Sequence, residues 1–392
     1  MIQAKEVKKI SIDQGIPLPY VEKDYVMGWL LWGIYNNPTL SKNLILKGGN
    51  CLRKIYFPDT RFSDDLDFTA KILNAEEDFK NQLQAICEHV KNISGIPFDL
   101  NRTSVKEVTI PLDKNKQGEG VKVFDGRVYF KGFAGDSSLT MRIKFDISQY
   151  ERIVLPLQHH PMFHHYSDAS LCNVNVFSYS LEEVLAEKLR SWVQRTRARD
   201  LFDIVKIISS RAIPISKTNI LSAFFQKTIF KDIPFAGHDE LLFDNKFESA
   251  GKHWIKTIIC SANARIIFSN AITLFKDFVN VLFQPETLEA IGISPSNLKQ
   301  YSYEISSNMR ETIIEAGKSR QLIKMNYHDK DRDIEPYSFR YKIDKNGYGA
   351  EFFYGFDRTR GNHIKMYRLD KIQGGSISTA QYEPRWVVEF SH

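Results

Sequence analysis

Lys47-Gly48-Gly49-Asn50, followed after a short interval by Arg61-Phe62-Ser63-Asp64-Asp65-Leu66-Asp67-Phe68, is the stretch that decides the fold. Ahead of it, Leu44, Ile45 and Leu46 make a short apolar run of the kind a buried strand shows, and behind the glycines Leu52, Ile55 and Tyr56 follow helical spacing. A second strand then carries Asp65 and Asp67. Alternate side chains of a strand leave one face, so both carboxylates point the same way while Leu66 and Phe68 enter a core. Paired glycines let the backbone approach a ligand closely, and amides opening the next helix favour a phosphate. Two convergent carboxylates beside such a cradle suit magnesium, which prefers hard oxygen ligands and is often shared with substrate phosphates. A Gly-Gly turn or an Asp-x-Asp by itself marks little beyond a turn or a solvated edge. The order strand, turn, helix, strand gives the pair its meaning.

The chain has 392 residues, enough for two or three domains, with 43% hydrophobic and 26% charged residues, the balance of an ordinary globular protein. No apolar run reaches membrane-spanning length, and the first residues lack the apolar stretch of a signal peptide. Cys51, Cys87, Cys172 and Cys260 are scattered without metal-type spacing, so reduced thiols in a cytoplasm are expected. A net charge of +6 is compatible with a nucleic-acid partner.

Outward from the central stretch, Val21, Tyr25, Val26, Leu30 and Leu31 recur as in a core helix over residues 17–40, and Phe79, Leu83, Ile86 and Val90 mark another over Glu76 to Ile93. Strand-like segments follow at Val108–Leu112, Val121–Phe124 and Val128–Lys131, and Met141 to Ile147 alternates cleanly, with Arg142, Lys144 and Asp146 on the polar side. Gln158 to His165 reads as a loop with two surface histidine pairs, not a metal site. Ser180 caps a helix whose inward stripe is Leu181, Val184, Leu185, Leu189 and Trp192, with Lys188 on that same stripe. A lysine there needs an acid or a phosphate unless it snorkels to solvent. Arg195, Arg197 and Arg199 lead into Arg199-Asp200-Leu201-Phe202-Asp203-Ile204, where Asp200 and Asp203 share one side of a helix. Residues 213–292 read as a helical bundle, Ile293 to Asn297 as a junction, and the segments from Tyr301 onward as a small β-barrel.

These motifs resemble the AbiEii family of nucleotidyltransferase toxins, within the DNA polymerase beta superfamily. The resemblance covers roughly residues 17–290 and rests on Lys47-Gly48-Gly49, Arg61-x-Ser63-x-Asp65-Leu66-Asp67-Phe68, Glu183-x-x-x-Glu187-Lys188-Leu189 and Arg199-Asp200-x-x-Asp203. The family usually has Ser or Thr after the glycines, where this chain has Asn50, whose amide can still donate to a phosphate oxygen. The C-terminal segment resembles a WYL domain, a Sm-like barrel, through Arg332-x-x-x-Pro336, Phe353-Tyr354-Gly355-Phe356-Asp357 and Lys365-Met366-Tyr367-Arg368-Leu369-Asp370-Lys371-Ile372; its naming tripeptide has become Glu351-Phe352-Phe353.

The resemblance implies an α+β architecture: a polymerase-beta-like core with a mixed sheet (1–178), a helical domain completing the active site (179–292) and a Sm-like barrel (300–392). It implies that Asp65, Asp67 and Asp146 hold magnesium, or manganese in its place, and that Lys47, Gly48, Gly49, Asn50 and Ser63 cradle the triphosphate. Asp146 orients the acceptor hydroxyl, Lys188 neutralises phosphate charge, and Asp200 and Asp203 support Lys188. The expected activity is transfer of a nucleotide from a nucleoside triphosphate to RNA, with the 3′ end of tRNA as acceptor, by a bacterial toxin of an abortive-infection pair restrained by a cognate antitoxin. Arg195, Arg197, Arg199, Lys365, Arg368 and Lys371 are the expected RNA contacts. Asp65→Ala and Lys188→Ala are expected to abolish activity and leave the fold intact. Alternatives are nucleotide transfer to a protein or small molecule, and a non-catalytic nucleic-acid-binding regulator.

Overall fold

The computed structural model describes residues 2–72, 75–111, 120–210, 212–231, 233, 235, 237–292, 309–328, 330–343, 349–359 and 363–390. The expected junction at Ile293 to Asn297 and the expected C-terminal start at Tyr301 lie outside them. The chain divides into two compact units. One comprises Met1–Lys188, Ala198–Lys227 and Ala250–Phe275, the other Leu189–Arg197, Thr228–Ser249 and Lys276–His392. The stretch read as a separate helical bundle thus shares its residues between the two units.

The first unit is built on β1 (Leu44–Lys47), β2 (Asp65–Ala70), β3 (Phe98–Pro111), β4 (Gly120–Lys131), β5 (Thr140–Ser148), β6 (Gln158–Pro161) and β7 (Asn175–Ser178). They form one sheet in the order β3-β4-β5-β2-β1-β7-β6. β2 runs antiparallel to β1 and parallel to β5, so the sheet is mixed. Its apolar face carries Leu66, Phe68, Phe124, Val128, Phe130, Ile143, Phe145 and Ile147, all buried. The Leu18–Asn36 and Glu76–Ser94 helices bury their own apolar residues in the same core. They approach closely because Gly33 has no side chain: a Cβ there would lie 2.6 Å from Ile86 Cγ2.

A buried charge cluster fastens the Leu18–Asn36 helix to the turn behind β1. Asp24 accepts from Arg53 Nε at 2.7 Å and Tyr166 Oη at 2.9 Å, and pairs with Lys54 Nζ at 2.9 Å. Burial raises the cost of the Asp24 charge, yet Arg53 and then Lys54 hold its carboxyl well below the usual range. The histidine stretch differs from its reading as a surface loop. His159 and His160 lie on β6, while His164 is buried, bonded through Nε2 to Asp168 at 3.1 Å and packed on Tyr25 and Tyr166. Two of its aromatic neighbours, Tyr25 and Trp29, lie far away in sequence, which is why local composition hid it.

In the second unit, β8 (Gln321–Tyr327), β9 (Asp331–Ile343), β10 (Gly349–Asp357), β11 (His363–Arg368) and β12 (Ile372–Gln381) form an antiparallel sheet in the order β11-β10-β9-β8-β12. Helical residues 309–318 contribute Met309, Ile313 and Ala316 to a core with Ile323, Met325, Ile334, Phe353 and Tyr367. The expected closed barrel is not formed among the described residues. Closure requires the end strands β11 and β12 to pair, whereas β12 pairs with β8 alone, through a register broken between Ile372 and Gly374.

Candidate active site

The sheet order places the candidate site at β1, β2 and β5. Lys47 of β1 pairs with Asp67 of β2, and Asp67 pairs with Asp146 of β5. Parallel, in-register pairing of β2 and β5 sets Asp67 and Asp146 on the same face, with Asp65 two residues before Asp67 and level with Lys144. The strand alternation read from sequence therefore brings three carboxylates to one face. Asp146 does not face its companions unaccompanied: Lys144 Nζ lies 2.6 and 2.8 Å from its two oxygens. Among the described residues no set of three acids, histidines or cysteines has closed to metal-binding distance.

Clustered acids resist ionisation. Burial pushes the Asp67 carboxyl up from 3.8 to about 6; Lys47 counters this, and Asp146 and Asp65 add to it. Asp65 is raised as well, by burial and then by Asp146, with Lys144 opposing. Perturbed carboxyls clustered on one face mark a candidate functional site.

The glycine turn is shaped by this acid group. Gly48 adopts a φ of +73°, and a Cβ there would stand 2.2 Å from Asp67 Oδ2. A Cβ on Gly49 would meet Ser63 Oγ at 2.6 Å. Neither position accepts a side chain without displacing the acid strand or its approach. The turn continues as a helical segment, Gly48–Cys51, that widens into π-helical Leu52–Tyr56. Asn50 differs from its expected role. Its side chain is fully buried and its amide donates to the Asp65 carbonyl at 2.6 Å, so it braces β2 and is not presented to a phosphate. Lys47 reaches Glu151 at 2.9 Å; burial opposes its charge, and Glu151 and Glu187 hold its pKa up.

Lys188 sits on the Leu181–Gln194 helix, which Ser180 caps by accepting from the Glu183 amide at 3.2 Å. Its ammonium meets Asp200 Oδ1 at 2.9 Å and Asp203 Oδ2 at 2.8 Å, both on the Ala198–Ser209 helix. Arg61 completes the group with two bonds of 2.7 Å to Asp203. Burial weakens the Lys188 charge, but Asp200 and Asp203 overcome it and raise its pKa; the field of Lys188 in turn favours ionised Asp67. Two cations and two anions balance here, so burial is tolerated.

Sequence alone gives Arg61 no role, although it stands inside the central motif; only the fold brings it to Asp203. Lys144 is visible in sequence as the neighbour of Asp146 in the alternation. Glu183, a first-turn acid by its position, accepts from the Val154 and Leu155 amides and pairs with Lys227 Nζ at 2.6 Å, a partner with no sequence signal.

The expected RNA contacts differ in exposure and partners. Arg199 is half-buried and near enough to Asp65 to favour its charge, Arg195 is half-buried, and Arg197 is exposed. On the C-terminal sheet, Lys365 Nζ is bound to buried Asp357 at 2.8 Å, which Arg332 also meets; Arg368 and Lys371 are half-buried.

The strand–turn–helix–strand frame offers two acids from one strand and a third from its parallel neighbour, the arrangement that the resemblance to nucleotidyltransferases implied. The chain belongs to the family described as "Nucleotidyl transferase AbiEii toxin, Type IV TA system", whose model matches residues 29–257, the span holding every candidate residue of the site. It is accordingly a nucleotidyltransferase of the toxin class. Among solved structures it is similar to MenT4, a nucleotidyltransferase toxin of Mycobacterium tuberculosis, at 14% identity and a TM-score of 0.46, over 76% of this chain and 97% of that one. It is also similar to a protein of H. pylori assigned as a nucleotidyltransferase, at 15% identity and a TM-score of 0.40, over 69% of this chain and 96% of that one. No curated protein matches the sequence at a significant level. No helix among the described residues is long and apolar enough to cross a membrane.

Proposed function

We propose that this enzyme transfers a nucleotide from a nucleoside triphosphate to the 3′ hydroxyl of an RNA, with tRNA as the acceptor, in a reaction that requires magnesium or manganese. The observation that carries the reading is the lateral order of the site. The Gly48 turn lies on the β1 side, Asp65 and Asp67 stand in the middle, and Asp146 lies on the β5 side. Donor phosphates then belong beside the glycines and the acceptor hydroxyl beside Asp146.

The donor set fits a hard divalent cation: three carboxylates share one face of the sheet, and Lys144 already stands in as a cation on Asp146. Asp65 and Asp67 would hold the ion, with Asp146 joining when Lys144 moves aside. When bound, such an ion neutralises charge developing on the transferred phosphate. The chain supplies the rest. Gly48 and Gly49 leave the backbone bare for the triphosphate, and Asp146 orients the hydroxyl and takes its proton. The hydroxyl oxygen bonds to the α-phosphorus as the bond to the bridging oxygen breaks and pyrophosphate departs. Lys188, fixed by Asp200 and Asp203, offers its remaining N–H to the phosphates. Because those acids balance its charge, it acts as an aimed donor more than as a bare cation.

The toxin class implies a cognate antitoxin, and the C-terminal sheet is read as a WYL-like module that binds nucleic acid. Thermal unfolding with an equimolar mixture of the four nucleoside triphosphates tests the site. Magnesium and nucleotide together should raise the Tm of the wild type and leave that of Asp65→Ala unmoved; equal shifts in both would defeat the assignment.

A further inference from the structure

Beyond Asp146 the open face of the sheet changes character. Going back along β5, Lys144 and then Arg142 share the face of Asp146, and their partners across β4 are Arg127 and Tyr129. Arg102, at the bulged part of β3, lies over the Tyr129 ring with its guanidinium carbon 4.5 Å from the centroid. Arg102 and Arg142 are exposed, and the Arg127 side chain is 43% exposed. Asp125, level with Asp146, binds Arg127 at 2.9 Å, and Asp99 of β3, level with Tyr129, accepts from the Arg102 amide at 3.2 Å; these are the acids within this group. The opposite face of the same strands is the buried core of Val128, Phe130, Met141 and Ile143, so the polar residues have no route inward. Charged side chains on a solvated sheet face need no explanation one at a time. What calls for one is their sign and their place: three arginines, a lysine and an aromatic ring run directly away from the acceptor side of the site.

We infer that this strip, Lys144, Arg142, Arg127, Tyr129 and Arg102, is the track along which a single-stranded RNA acceptor lies with its 3′ end at Asp146. The inference rests on the reading of the enzyme as one that acts on RNA, and it assigns the acceptor to residues other than the Arg195 to Arg199 and Lys365 to Lys371 segments expected from sequence. Four residues of strand span about 13 Å and the step from β5 to β3 about 10 Å, a length that accommodates a few nucleotides. Phosphates meet the arginines, and a base stacks on Tyr129 beside the cation of Arg102, the combination that holds single strands without reading their sequence. An acidic protein surface would also answer the charge, but not the continuity of the strip with Asp146 nor the aromatic set among its cations.

The test uses the full chain, a fluorescent 12-nucleotide RNA with a free 3′ hydroxyl, and anisotropy at several salt concentrations. In Arg102→Glu/Arg142→Glu, binding of nucleoside triphosphate with magnesium should be unchanged. RNA affinity should fall by roughly tenfold or more, and the slope of log affinity against log salt should shrink by about 0.7 for each phosphate no longer neutralised. Tyr129→Leu should weaken RNA by roughly tenfold through lost stacking while leaving the salt slope in place. Wild-type RNA affinity in both variants, with transfer to RNA intact in the unsubstituted enzyme, overturns the strip alone and leaves an acidic protein as its occupant. Failure of the unsubstituted enzyme to bind or label RNA while it binds nucleotide overturns the reading on which the strip rests. Should the double variant lose nucleotide binding too, it has lost its fold, and Tyr129→Leu alone decides.

Discussion

Replacing Asp67 with Asn should make the protein more stable while removing its activity. The ionised Asp67 carboxylate is disfavoured by burial and by Asp146 and Asp65, which lift its pKa from 3.8 to about 6. That displacement is about 3 kcal/mol of penalty on the charged form, already net of help from Lys47 and Lys188. The sign follows from proton binding. Between pH about 4 and about 6 the folded chain keeps a proton that the unfolded chain releases, so stability falls as pH rises through this window and stays flat above it. Asn carries no charge and escapes the penalty. Urea unfolding without divalent cation, followed by tryptophan fluorescence at pH 8 and pH 4, should show Asp67→Asn more stable by about 3 kcal/mol at the higher pH and nearly equal to wild type at the lower. A variant no more stable than wild type at pH 8 would refute the claim that burial and the neighbouring acids disfavour the charged form of Asp67.

Lys188→Ala should lose activity and also lose stability, by about 3–5 kcal/mol, because it strands Asp200 and Asp203 without their shared ammonium in a buried site; chemical unfolding checks this, and it revises the expectation that this substitution spares the fold. Asp24→Ala should destabilise by a similar amount by leaving Arg53 and Lys54 without their shared carboxylate, a loss visible in the urea midpoint. Lys144→Met frees Asp146 from its resident cation and should tighten manganese binding several-fold in calorimetry; weaker binding would contradict the competition drawn here. Gly48→Ala should abolish nucleotide binding and lower the Tm, since its φ of +73° and the 2.2 Å approach to Asp67 Oδ2 both exclude a Cβ.

Much of the nucleotidyltransferase core was legible because it is written in local periodicities. Alternation at Asp65 and Asp67, and again at Arg142, Lys144 and Asp146, gives strand and face without any knowledge of partners. What stayed hidden was each feature that depends on long-range pairing. Nothing near Arg61 announces Asp203, nothing near Glu183 announces Lys227, and His164 reads as a surface residue until Tyr25 and Trp29 are folded against it. Asn50 misled for a related reason: its position in the motif suggested a phosphate donor, while the fold turns its amide to the Asp65 carbonyl. Four of the five C-terminal strands, β8 to β11, are recognisable from their sequence, but β12 at Ile372–Gln381, interrupted by Gly374 and Gly375, is not, and the open order of the sheet depends on where it docks.

The most direct measurement is incubation of the protein with magnesium, total tRNA and each α-labelled nucleoside triphosphate in turn, beside Asp65→Ala. The account predicts label on RNA with one or two of the nucleotides, dependent on the divalent ion and absent in the variant. Label on protein instead, or equal labelling by Asp65→Ala, would contradict it.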